Sequence, residues 1–113
     1  MISYEEFKKV ELKTVLVKTA QRVEGSEKLL QLCVVEGKTS EGEDITRQIV
    51  AGIGKKYEPE ILIGKTIIIV ANLEPRSLMG LESQGMLLAA SNDSEGPILL
   101  TTLENITPGS EIR

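Results

Sequence analysis

Polar side chains that could recognise a ligand are concentrated in residues 74–91. Prolines and glycines punctuate this stretch with turns, while Arg76, Ser83 and Gln84 add a cation, a hydroxyl and an amide. Turns place such groups at the surface, so the pattern favours ligand recognition over packing. It is equally typical of a solubilising loop, because two glutamates of the stretch weaken the positive field around Arg76. Both interpretations stay open at this point.

Catalytic and cofactor chemistry finds little support elsewhere in the chain. There is no histidine, the commonest general base and metal ligand. Residues 64–66 lack the upstream glycine of a phosphate-binding loop, and residues 52–54 lack the third glycine of a dinucleotide fingerprint. Cys33 has no obvious base to activate it, and the acids of residues 41–44 are more typical of a solvated hairpin tip than of a cation site. We therefore expect no enzyme, no metal and no cofactor.

Length and charge narrow the possible roles further. With 113 residues, 41% of them hydrophobic and 27% charged, the chain is expected to form one domain spanning residues 1–113. A single cysteine favours the cytoplasm over secretion, as do residues 1–6, which carry acids where a signal peptide needs basic residues. The net charge of -4 opposes general binding to phosphate backbones, so any nucleic-acid role requires a local positive patch.

Alternating apolar residues predict an all-β fold with short strands. Residues 10–23 form the first strand, and a slip in the alternation near Thr14 predicts a bulge. The other predicted strands are residues 30–34, 45–51, 66–73, 85–91 and 98–101. Residues 37–44 are expected to form a hairpin loop, and residues 107–109 a turn.

Two short helices are predicted from their end signals. Ser3 and Glu6 have the spacing of a capping box, and Pro59 suits the first position of a helical turn that Gly64 ends. The first five strands, with a helical element between the third and fourth, favour a five-stranded OB-fold barrel, a small Greek-key fold.

Four motifs stand in order along the chain, at residues 47–53, 57–60 with Gly64 and Lys65, 70–76, and 78–90. On these motifs the chain resembles the tRNA-binding domain appended to methionyl-tRNA synthetases. That domain also occurs as a free-standing tRNA-binding protein and in the endothelial monocyte-activating polypeptide group. The resemblance implies an OB-fold that recognises tRNA by shape and dimerises through its terminal segments. The implied partners are tRNA, a second copy of the chain and a methionyl-tRNA synthetase catalytic chain.

The resemblance also implies a set of RNA-contacting residues, each with an available physical role. The cations can neutralise phosphates, the hydroxyl and amides can bond sugar or phosphate oxygens, and the methionine can lie against a ribose or base. The set is Lys28, Arg47, Asn72, Arg76, Ser83, Gln84 and Met86. The alternatives are that Arg47 pairs with a neighbouring acid and that Met86 belongs to the core.

Some positions depart from the pattern of the resembled family. Val15 stands where glycine is common, and Glu74 and Ser77 stand where lysine is frequent. The domain therefore lacks positive charge that its relatives use, and weaker or more salt-sensitive tRNA binding is expected. Aromatic residues make up only 3% of the chain, so recognition of a folded RNA backbone is favoured over base stacking.

A rival hypothesis is a protein-binding module, such as a secretion-chaperone-like dimer or a docking domain of a synthetase complex. It rests on the acidic charge and on apolar residues near the termini, namely Tyr4, Phe7, Ile98, Leu100 and Ile112. An ordinary homodimer interface accounts for the same residues better.

Overall fold

A computed structural model describes all 113 residues, Met1 to Arg113. The chain consists of ten strands, most of them short, and two single-turn helices, which confirms the predicted all-β class. In chain order the elements are α1 (Tyr4–Phe7), β1 (Leu12–Arg22), β2 (Leu30–Lys38), β3 (Asp44–Ala51), α2 (Pro59–Leu62), β4 (Thr66–Val70), β5 (Arg76–Leu78), β6 (Leu81–Ser83), β7 (Met86–Leu87), β8 (Ala89–Asn92), β9 (Gly96–Leu99) and β10 (Glu111–Ile112). Neither helix has the length and apolar character needed to cross a membrane.

The main sheet is antiparallel and runs in the order β3-β2-β1-β4-β7, with β10 added to β1. The long β1 pairs with β4 over its first half and with β2 over its second half. This strand order is that of an OB-like fold with five strands. The two end strands, β3 and β7, do not pair with each other. The predicted barrel is thus left open along a seam, which we define by Arg47, Gln48, Ser83 and Gln84. One main-chain bond crosses it, from Gln84 N to Gln48 O at 2.7 Å.

The core lies inside the curved sheet and is purely aliphatic. Eleven buried residues form it: Val15, Val17, Leu30, Leu32, Val34, Ile49, Ile53, Leu62, Ile67, Ile69 and Leu87. A helix as short as α2 is unstable in isolation, and burial of Pro59 and Leu62 provides the tertiary support it needs. Pro59 occupies the start of α2, as predicted, and the Ser3–Glu6 capping box of α1 is also confirmed.

The bulge in β1 was predicted at the wrong place. The register shifts between Val17 and Thr19, whereas Thr14 pairs regularly with Ile68 of β4. The alternation slips at Thr14 because the C-terminal segment covers its outer side. The Thr14 hydroxyl lies 3.3 Å from the Thr107 carbonyl and accepts a bond from Ser110 N at 3.1 Å, which makes this polar residue fully buried.

The stretch interpreted as a loop contains a regular hairpin, β5–β6. Its turn residues Met79 and Gly80 have φ values of 50° and 82°, the two left-handed positions of a type I′ turn. The strand predicted over residues 85–91 is broken at Leu88 into β7 and β8, and β8 forms a second hairpin with β9.

Candidate nucleic-acid interface

Arg76 begins β5 and offers an unpartnered cation. It stands opposite Ser83 in the β5–β6 hairpin, and its exposed guanidinium makes no hydrogen bond or salt bridge with the protein. A cation with no internal partner keeps all its donors for an external anion. Two acids of the hairpin region, Glu74 and Glu82, are likewise exposed.

Ser83 faces inward and fixes the hairpin to β3. Only 3% of Ser83 is exposed. Its Oγ accepts a hydrogen bond from Val50 N at 3.0 Å and donates to Gly85 O at 2.9 Å. The hydroxyl is therefore satisfied within the protein, and it positions the hairpin that carries Arg76.

Arg47 is a clamp across the seam. Its Nε and Nη2 donate to the two carboxylate oxygens of Glu36 at 2.5 and 2.9 Å, and its Nη1 donates to the carbonyls of Ala71 and Gln84 at 2.8 and 2.9 Å. Hydrogen bonds from Arg47 lower the pKa of Glu36 against the opposing effect of burial, and Lys13 adds to them. The same pairing raises the pKa of Arg47. Four of its five N–H donors are thus used internally.

Gln84 joins a row of glutamine side chains that the sequence did not reveal. Its Oε1 accepts a bond from Gln48 N at 2.8 Å, while the Gln48 amide donates to Glu82 O at 2.8 Å. Gln31 donates to Gln48 at 2.8 Å and Gln21 donates to Gln31 at 3.0 Å, so amides cross β1, β2 and β3 to the seam. The Gln84 Nε2 group has no protein partner and remains available as a donor at the exposed end of the row.

The remaining residues of the predicted set, Asn72, Met86 and Lys28, differ in their solvent exposure and in whether their polar atoms have protein partners. Both polar atoms of the Asn72 side chain are engaged: Nδ2 donates to Lys9 O at 2.7 Å, and Oδ1 accepts from Glu11 N at 2.9 Å. Met86 is 48% exposed in β7 rather than buried in the core. Lys28 is exposed, and its aliphatic stem lies over Gly52 just beyond the end of β3.

The structure brings most of the predicted set to one region around the seam. Arg47, Ser83 and Gln84 line the seam itself, Arg76 lies one strand outward from Ser83, and Met86 follows two residues after Gln84. Arg47 donates to the carbonyl of Ala71, the residue that precedes Asn72 in the chain. Lys28 lies apart at the end of the sheet. Groups free to meet a ligand are Arg76, Met86, Lys28 and the Gln84 amide nitrogen.

Fold and site together define a small all-β binding module whose free polar groups are cations and an amide. The model of the family described as "Putative tRNA binding domain" matches residues 12–111. The chain therefore belongs to this tRNA-binding domain family, and the resemblance stated from its motifs is confirmed.

Known relatives agree with this membership. The chain is 54% identical over 111 residues to methionine–tRNA ligase of Caldanaerobacter subterraneus subsp. tengcongensis and 47% identical over 111 residues to that of Thermotoga maritima. Each match covers 98% of this chain but 16% of the relative, so the chain spans about one sixth of these synthetases.

Solved structures extend the similarity over the whole chain. The MetRS-related protein from Pyrococcus horikoshii matches with a TM-score of 0.88 and 34% identity, covering 100% of this chain and 98% of that one. The chaperone CsaA of Bacillus anthracis str. Ames matches with a TM-score of 0.85 and 26% identity, covering 100% and 99%.

Proposed function

We propose that this chain is a noncatalytic module that binds the folded shape of tRNA. The observation that carries the proposal is Arg76, an exposed guanidinium without a protein partner on a hairpin of a tRNA-binding family member. Phosphate contacts of this kind position a nucleic acid without reading its sequence.

The few aromatic rings support recognition of an RNA backbone over base stacking. The Tyr57 ring packs against the core, and its hydroxyl accepts a bond from Leu99 N at 3.1 Å. The exposed Tyr4 ring lies in α1, with the Lys8 ammonium 5.5 Å from its centroid. Single-strand binders of this fold class stack successive bases on several rings, and this surface has no such platform.

The seven candidate residues divide into contacting and positioning groups in this proposal. Arg76 and Lys28 neutralise phosphates, the Gln84 amide donates to a sugar or phosphate oxygen, and Met86 lies against a ribose or base. Arg47 and Ser83 are satisfied internally and position the segment that carries Arg76 and Gln84, whereas Asn72 ties the chain after β4 to residues 9–11.

We further propose that the module adds tRNA affinity to a methionyl-tRNA synthetase in the cytoplasm, either joined to its chain or beside it. The synthetase relatives support this proposal, because in each of them this region forms about one sixth of the length. A second binding site raises the local tRNA concentration and increases avidity without new chemistry. A homodimer would double the surface, and light scattering coupled to gel filtration measures that state directly.

The test is binding of unfractionated tRNA, followed by fluorescence anisotropy across a salt series. Arg76→Gln should weaken binding by about 1 to 3 kcal/mol with an unchanged melting temperature. Lys65→Gln is the matched control, because it removes one exposed charge beside Val17 in the middle of β1, away from the hairpin.

Two results would speak against the proposal. Wild-type protein that fails to bind tRNA at low salt would refute it outright, and equal affinities of the Arg76 and Lys65 variants would remove Arg76 from the interface. Binding to apolar peptides that persists at high salt would favour the protein-binding module instead, because apolar burial is not screened.

A further inference from the structure

A second cluster of cations lies around a cleft to which Lys28 is the only contributor from the predicted set of residues. Lys28, Lys55 and Lys56 line a depression of about 450 Å³, together with Gly52 and the turn between β8 and β9. We call this depression the lysine cleft. Glu95 is the one acid in its lining, so the cleft is locally positive in a chain of net charge -4.

The lysines are free to bind an anion. The Lys28 and Lys55 ammonium groups make no hydrogen bond or salt bridge, and Lys56 donates only to the main-chain carbonyl of Glu95, at 3.1 Å. The neighbouring Glu58 does not neutralise them, because its carboxylate pairs with Arg22 at 3.0 Å. An external anion therefore has three cations to meet and no strong internal competitor for them.

The floor of the lysine cleft is rigidly built. Gly54 N donates to Lys28 O at 2.7 Å, and a Cβ at Gly54 would stand only 2.8 Å from that oxygen. A Cβ at Gly52 would stand 2.6 Å from Lys28 Cε, so glycine leaves room for the lysine stem. Ser26 Oγ accepts bonds from Lys28 N at 3.2 Å and Leu29 N at 3.0 Å, which fixes the other side. The cleft is thus held in shape before a ligand arrives.

The lysine cleft lies at the end of the sheet that the β5–β6 hairpin also reaches. Ser83 bonds to Val50, and Gly52 follows two residues later, roughly 7 Å along a strand. At the hairpin turn, the Met79 methyl lies 3.5 Å from the position of a Cβ on Gly25, in the turn before Lys28. A polyanion bound at Arg76 can therefore continue toward the lysines.

We propose that the lysine cleft is a second phosphate-binding site, which holds the backbone of the same tRNA that Arg76 contacts. This inference rests on the proposed function. Lysine ammonium groups are point charges without the fork geometry that selects a single oxyanion pair, so they suit a backbone held without a fixed register. The open cleft and its unpaired cations fit consecutive phosphates of one strand.

The test compares charge-matched double variants by the salt dependence of tRNA binding. The Lys55→Gln/Lys56→Gln protein should bind tRNA more weakly than the wild type. Its plot of log K against log salt should be less steep, with the magnitude of the slope reduced by about 1.5, or roughly 0.7 to 0.9 per lost contact. Lys38→Gln/Lys65→Gln removes the same charge far from the cleft and should keep the wild-type slope. Lys55→Arg/Lys56→Arg should keep it too, and circular dichroism confirms that every variant is folded.

The outcomes separate this inference from the proposed function. No tRNA binding by the wild type refutes the proposed function, whereas wild-type binding with the same slope in both Gln double variants overturns the lysine cleft alone. Tight binding of a fluorescent polyglutamate peptide, lost in Lys55→Gln/Lys56→Gln while the tRNA slope is unchanged, would assign the cleft to an acidic protein partner.

Discussion

Replacement of Arg47 by glutamine tests the assignment of this residue to the seam rather than to direct RNA contact. The substitution removes the two bonds to Glu36 and the two bonds to the carbonyls of Ala71 and Gln84. Glu36 keeps one partner, because Lys13 Nζ lies 3.3 Å from its carboxylate. The two carbonyls lose their cationic donor, and the bond to the Ala71 carbonyl is the more buried of the two.

The expected loss of stability follows from the burial of the pair. The Arg47 and Glu36 side chains are only 19% and 16% exposed, so solvent screens them less than a surface ion pair. Breaking a fully buried pair costs about 3 to 5 kcal/mol, and the remaining bond to Lys13 reduces this to about 2 to 3 kcal/mol for Arg47→Gln. In a domain of this size that corresponds to a fall in melting temperature of roughly 8 to 12 °C.

Urea unfolding followed by circular dichroism measures the effect, since the chain has no tryptophan to report by fluorescence. Arg76→Gln is the control and should change the free energy of unfolding by less than about 0.5 kcal/mol, as expected for an exposed residue without partners. A double-mutant cycle with Glu36→Gln isolates the pairwise part. If Arg47→Gln is no less stable than Arg76→Gln, the clamp does not hold the seam and the positioning role is refuted.

Two further perturbations follow from the same geometry. Gly109→Ala should destabilise the protein by more than about 2 kcal/mol, because the new Cβ would clash with the Glu36 carbonyl and Gly109 has a left-handed backbone conformation. The control Gly42→Ala is also left-handed but has open space, so it should cost only about 1 kcal/mol of backbone strain. Equal urea midpoints for the two variants would contradict this prediction. Because pairing lowers the pKa of Glu36 in the folded protein, its stabilisation is complete above about pH 5 and is lost as pH falls through about pH 4 toward the lower folded pKa. Urea midpoints at pH 7 and pH 3 should differ more for the wild type than for Glu36→Gln, and identical differences would exclude this linkage.

Local signals made the helices predictable, whereas the missed features have weak local signals or depend on distant contacts. The capping box at Ser3 and the proline at the start of α2 act within one turn, so the sequence alone places them. The strands of the β5–β6 hairpin are only three residues long, too short for visible alternation, and its turn holds Met79 where asparagine or glycine is usual. The bulge was misplaced because Thr14 is buried by Ser110, 96 residues away.

The candidate site shows the same division between residue type and environment. Sequence similarity indicated the seven residues, but which of them keep free polar groups depends on long-range partners. Ser83 is satisfied by Val50, 33 residues earlier, and Asn72 by Lys9, 63 residues earlier. Of the lysine cleft only Lys28 was predicted, since three loops distant in sequence assemble the cleft.

The open seam also sets the order in which parts of the molecule come loose. The strands β1 and β2 are joined by a long ladder with one register shift, but one main-chain bond and side-chain bonds of Arg47, Gln48, Ser83 and Gln84 hold the segment that carries Arg76 to β3. Rupture of those few bonds frees the hairpin while the aliphatic interior stays intact, a partial opening that costs less than global unfolding. In the proposed function, this opening would let the hairpin shift against a curved RNA surface without global unfolding.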